Sequence, residues 1–241
     1  FRVKIGFSGK MCTGKTTACE YLMQNYGFIS LRLSDPLKSL EFIHGNVNPE
    51  SWERLVSKNV KRIVGYLFLA RPGQETRAEA LEGLLADEVL KAFRLFEPMP
   101  NQKNRGLLQY LGTEVGRRLD ADIWIDCLVG RIMNREQIGF KRITVEDVRF
   151  PNELEGLKRF GFTMVRLRTE DKIRNERIER IYGAYDPEIL AHPSELALDD
   201  REAEFDYVLD TSGPVEALYK MLDGLVIAGG LEFEQDGSLD A

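Results

Sequence analysis

The chain has 241 residues, enough for one sizeable α/β domain with an insertion and too few for two full enzymes. Its 43% hydrophobic and 30% charged residues suit a globular protein, and a net charge of −6 argues against coating nucleic acid by bulk attraction. No run approaches the roughly 18 apolar residues of a membrane helix, and the first residues read as a strand rather than a signal peptide, so a cytoplasmic protein is expected.

Residues 3–7 read as a short buried strand. A glycine-bearing loop follows, and then a helix over 16–24 that Gly27 closes. The loop, Gly9-Lys10-Met11-Cys12-Thr13-Gly14-Lys15-Thr16, satisfies GxxxxGK[ST] in the strand-to-helix setting that pattern requires. Its chemistry explains its spacing. Glycines let backbone N–H groups turn inward around phosphate oxygens, and the helix N-terminus adds the positive end of its dipole. Lys15 reaches the β and γ phosphates of ATP, the Thr16 hydroxyl is placed to ligate Mg2+, and Thr17 supports the same turn. Cys12 reads as a small filler of the loop, with a redox or nucleophilic role the lesser alternative.

A second strand is expected over 28–33, and Ser34 or Asp35 caps a helix with Pro36 in its first turn. Asp35 and Lys38 then open onto the acceptor side of the sheet. Residues 52–70, 75–96, 106–119 and 123–137 read as four helices, with a split near Asp120. On the third, Gln109, Thr113 and Arg117 share one polar stripe that can face an acceptor base or simply solvent.

Strands resume at 142–148, 163–167 and 205–209, alternating with helices at 151–160, 172–182 and 214–226. The expectation is a three-layer α/β fold of the P-loop NTPase type. It has a five-stranded parallel sheet, a helical insertion over about 46–138 and an arginine-rich lid over about 168–200, all within one domain, 1–241. Asp147, ending the third long strand, is a candidate for Mg2+ or for acceptor, or else a cap for the helix at Pro151. Arg149 would fork onto a phosphate from the same edge. Arg168 and Arg174 are candidates to neutralise the transferring phosphoryl group from the lid, and His192 and Glu195 to contact acceptor.

Four segments in order, residues 8–17, LQYLGTEVGR at 108–117, DVRFPNE at 147–153 and HPSE at 192–195, resemble the phage-type deoxynucleoside monophosphate kinases. The resemblance implies transfer of the ATP γ-phosphate to a deoxynucleoside 5'-monophosphate with Mg2+, in the host cytoplasm if phage-encoded. It departs at Thr16, where members of that family often place an aspartate after the lysine. Small nucleotides are the expected partners, without membrane or stable nucleic-acid binding and with a homodimer left open. The rivals are a kinase of modified, hydroxymethylated bases in DNA, a dephospho-coenzyme A type kinase, and a non-catalytic nucleotide-binding regulatory module.

Overall fold

The computed structural model describes residues 2–183 and 193–228. Five parallel strands form one sheet: β1 (Val3–Ser8), β2 (Ile29–Leu31), β3 (Arg142–Val148), β4 (Thr163–Arg168) and β5 (Tyr207–Asp210). Their order is β2-β3-β1-β4-β5, so β1 is central, paired with β3 on one side and β4 on the other. Every connection is a crossover, and the strands carry apolar residues on both faces, as a sheet covered by helices on both sides requires. On β4, Met164 packs into one apolar cluster while Val165 and Leu167 pack into the other.

The smaller cluster joins Val3, Ile5 and Phe7 of β1 to Ala18 and Leu22 of α1 (Lys15–Tyr26) and to Leu218, Leu222 and Val226 of the last helix (Val215–Ala228). The larger cluster lies on the opposite face. It is built by α2 (Asp35–Asn46), α3 (Trp52–Ala70), α4 (Glu75–Leu95), α5 (Arg105–Tyr110), α6 (Ile123–Gln137) and α7 (Pro151–Arg159). The expected layers, strand count and helical insertion are therefore present, and α8 (Asp171–Tyr182) follows β4.

Two local expectations are corrected. The second strand is only three residues long, because Leu33 and Ser34 already give their N–H groups to Asp147 rather than to a ladder. The helix expected over 106–119 is not regular: α5 passes into a π-helical stretch, Leu111–Arg117. The indole of Trp124 lies beneath that stretch and donates to the Gly112 carbonyl at 2.8 Å. A Cβ on Gly116 would lie 2.2 Å from the same indole, so the wide turn accommodates a ring that only glycine admits there.

Candidate nucleotide and acceptor site

The loop between β1 and α1 takes the conformation its glycines allow. Gly9 has φ 151°, and a Cβ there would meet the Leu167 carbonyl and the Thr13 hydroxyl at 2.6 Å. Gly14 (φ 91°) and Cys12 (φ 63°) are left-handed, and at Cys12 that conformation is one a side chain seldom adopts. Thr13 is buried and donates to the Lys10 carbonyl at 2.9 Å. Behind the loop, the Thr211 hydroxyl lies 3.0 Å from the carbonyls of both Thr13 and Arg168, which share its single hydrogen, tying the loop to the ends of β4 and β5. Lys10 pairs with Asp199 at 2.8 Å, and Asp199 also holds the buried Arg166, which donates to Ser8.

Lys15 folds back onto the loop and donates to the carbonyls of Gly9 and Lys10 at 2.6 and 2.7 Å. Burial, and then the nearby Arg149 guanidinium, push its ammonium down from the ordinary 10.5 to about 7. An anion placed here would restore the charge.

The loop opens into a cavity of about 470 Å³ at the carboxyl edge of the sheet. Met11, Cys12, Lys15 and Thr16 line one wall, Lys38 another, and Gln109, Thr113 and Arg117 a third. Asp147, Arg149 and Glu195 complete the predicted residues gathered there. The polar stripe of Gln109, Thr113 and Arg117, on α5 and the π-helical stretch after it, thus lines the cavity.

DVRFPNE is legible as a device for aiming Arg149. Pro151 opens α7, and the buried Glu153 carboxylate accepts the N–H groups of Arg149 and Phe150 at 2.7 and 3.0 Å. The same carboxylate pairs with Arg117, whose guanidinium lies 3.9 Å above the Phe150 ring. With its backbone pinned, Arg149 projects to Glu195, and the other oxygen of Glu195 accepts the Met11 N–H at 2.8 Å. A carboxylate therefore sits on the phosphate-binding loop and an arginine at once.

Several predicted residues are placed differently. Asp147 does not cap α7, a role Glu153 fills. Its two oxygens accept the N–H groups of Leu33 and Ser34 at 2.7 and 3.0 Å, fixing the turn after β2. Asp35 pairs with Arg131 of α6 and accepts the Arg32 N–H at 3.1 Å, and it lies outside the cavity lining. Arg168 is not brought to the cavity: its side chain is 71% exposed, 3.6 Å from Glu202. Arg174 is buried and held by Asp171 at 2.9 Å, close enough to the loop to act on the Cys12 thiol, whose pKa burial nevertheless raises. His192 lies outside the described residues.

Glu146, which precedes Asp147 on β3, is a further carboxylate at the cavity. It lines the cavity only 4% exposed, with one oxygen paired to Arg32 and the other, Oε2, without a hydrogen-bond partner. Glutamate and aspartate adjoin at the end of one strand, and the two differ in how many of their oxygens already have partners.

Sheet order, loop and crevice define a three-layer α/β fold of the P-loop type, with the loop and a cavity at the carboxyl edge of the sheet. No family model matches the chain. Over 118 residues it is 30% identical to the uncharacterized protein ORF77 of Ictalurid herpesvirus 1 (strain Auburn), which covers 46% of this chain and 51% of that protein. The chain thus spans about half the length of that curated relative. Among solved structures, TT1252 from Thermus thermophilus is similar over 94% of this chain and 97% of its own, with a TM-score of 0.50 and 16% identity, a likeness of fold. Dephospho-CoA kinase from Campylobacter jejuni aligns over 93% of this chain and 96% of its own, with a TM-score of 0.43 and 13% identity. No helix among the described residues is long and apolar enough to cross a membrane.

Proposed function

We propose that the protein is an ATP-dependent kinase whose acceptor is a deoxynucleoside 5'-monophosphate. The observation that carries this reading is the shared void: Lys15 and Thr16 of the phosphate-binding loop line the same cavity as Lys38, Gln109, Thr113, Arg117 and Arg149. A pure nucleotide binder has no need of a second cationic wall across from its loop, whereas phosphoryl transfer requires donor and acceptor in line within one dry space. At about 470 Å³ the cavity falls within the ~300–1,000 Å³ range of small-molecule sites.

In this reading the backbone N–H groups of the loop and Lys15 hold the donor phosphates, and an anionic oxygen takes the place of the Glu195 carboxylate at Met11. Arg149, released from Glu195, turns its fork to phosphate, while the Gln109 and Thr113 stripe faces the acceptor base. The turn at residues 210–213, bolted to the loop through Thr211, flanks the donor base. Arg174, close enough to the loop to act on Cys12, is the candidate on that side to neutralise the transferring group.

Mg2+ fits the donor set. Among the described residues no cluster of three or more metal-ligating side chains exists, as suits an ion carried in largely by nucleotide phosphates. The Thr16 hydroxyl and the carboxylates of Asp147 and Glu146 are hard ligands lining the cavity; each Asp147 oxygen accepts one backbone N–H and keeps a lone pair, and Glu146 Oε2 has no hydrogen-bond partner. The ion would offset charge on the transferring group.

The test is ADP release from ATP and Mg2+ with dAMP, dCMP, dGMP, dTMP and hydroxymethylated analogues, beside acceptor-free and duplex-DNA controls. Turnover with one or more monophosphates is expected. Turnover with DNA alone would replace the reading by a base kinase, and none above the acceptor-free rate by a regulatory nucleotide binder.

A further inference from the structure

The cations of the cavity fall into two groups. Among the described residues, seven cationic side chains line it against four carboxylates, so the wall is positive in an acidic protein. Three arginines are matched: Arg32 with Glu146, Arg117 with Glu153 and Arg149 with Glu195. Lys15 is folded onto loop carbonyls. Lys38, Lys103 and Arg105 remain, none with an ion pair among the described residues.

We propose that Lys103 and Arg105, with Lys38, form a built anion subsite that takes the phosphate of the acceptor. This rests on the kinase reading above and deepens it, assigning that phosphate to cations other than Arg117 and Arg149. The first support is placement. Arg105 Nη1 lies 3.5 Å from the Met11 sulfur, and its guanidinium lies 5.0 Å from the centre of the Tyr182 ring, which hold it at the rim of the phosphate-binding loop.

The second is support from behind. Glu41 of α2 accepts the Asn104 N–H at 2.7 Å, and the Asn104 side chain accepts from Leu107 at 3.0 Å and donates to the Glu97 carbonyl at 3.3 Å. The turn that carries Lys103 and Arg105 is therefore fixed before any ligand arrives, as a binding subsite requires. The third is repulsion. Lys103 stands exposed at the mouth of the cavity, and its pKa is lowered by partial desolvation and then by Arg105, Lys38 and Arg149, against the opposing pull of Glu41. Like charges gathered in a partly desolvated space are unfavourable until a counter-anion enters. A phosphate monoester dianion is that counter-anion. It matches a fork and two point charges, and neither a neutral nucleoside nor a polymer backbone would use all three.

The phosphoryl group bound here could belong to the acceptor or be the donor's own γ-phosphate, and the experiment separates the two. Deoxynucleoside monophosphates and their matching deoxynucleosides are titrated calorimetrically into the full chain saturated with ADP, for wild type, Lys103→Ala, Arg105→Ala and Arg105→Lys. ATP affinity and thermal midpoint are measured for each.

Loss of a charge-assisted contact should weaken monophosphate binding by about tenfold or more per alanine. Arg105→Lys should recover part of it. The deoxynucleosides, ATP affinity and midpoint should be unmoved. Unchanged monophosphate affinity, no monophosphate binding to the ADP-filled wild type, or an equal loss of ATP affinity would each overturn the subsite. Binding through Lys103 and Arg105 without turnover would keep the subsite and remove the kinase reading. Turnover with KM indifferent to both substitutions would do the reverse.

Discussion

The two sides of the cavity are built by different means. On the donor side, main chain makes the site: Gly9, Cys12 and Gly14 take left-handed or open conformations, and Lys15 and Thr211 bind loop carbonyls. On the acceptor side, side chains make it: Arg117 to Glu153, Arg149 to Glu195, Asp147 to the turn after β2, Glu41 to Asn104. A main-chain site depends on a few residues close in sequence. A side-chain site depends on five or six elements arriving in register, so it is the half that can change specificity while the other stays fixed.

The comparison is tested most severely at Lys15. Lys15→Ala should lower turnover by on the order of 10³ or more, since phosphoryl transfer relies on positioning and charge rather than covalent help. Its fold should survive, because the substitution removes a buried cation, and circular dichroism would check this. Near-normal ADP release would sink the mechanism.

A smaller effect should appear in the helical half and stay there. Arg71, closing α3, pairs with Asp120 and Asp126, and Arg77 also reaches the buried Asp120. Arg71→Ala leaves Asp120 poorly compensated and should cost about 3 kcal/mol in chemical denaturation. If the two halves are built independently, the folded variant keeps its ATP affinity while acceptor KM rises. Equal losses of both would show that the division is not real.

The smallest effect concerns protons. With Lys15 at about 7 against an ordinary 10.5, the unfolded chain binds more protons than the folded one between those values. The ligand-free fold should therefore gain stability from this group as pH rises through that window. Phosphates that restore the charge should make ATP binding take up close to one proton at pH 8 to 9 and almost none at pH 6. Calorimetry in buffers of different ionisation enthalpy measures it, and pH-independent uptake would contradict the Lys15 assignment.

Much of the fold could be read in advance because its signals are local. Alternating apolar strands and amphipathic helices gave the sheet and the insertion, and the phosphate-binding loop was complete within eight consecutive residues. The π-helical turn escaped because its cause, Trp124 beneath Gly116, acts between elements. Glu146 and Asp147 both stand at the end of β3 and are equivalent by spacing. What separates them is which oxygens already have partners, a fact of folding and not of spacing.

Arg168 and Arg174 looked alike as lid arginines in the sequence, yet one extends to Glu202 in solvent and the other is buried beside the loop. Lys103 and Arg105 had no motif to announce them. With Lys38 they line the cavity without an ion pair among the described residues, a property that spacing does not display. The sequence alone determined the position of the loop proposed to hold phosphate, since main-chain N–H groups and a helix terminus need only local order. Which charged side chains are spent on the fold and which are left for a ligand was decided by tertiary structure, because an ion pair between residues as distant as Arg149 and Glu195 exists only once the chain has folded.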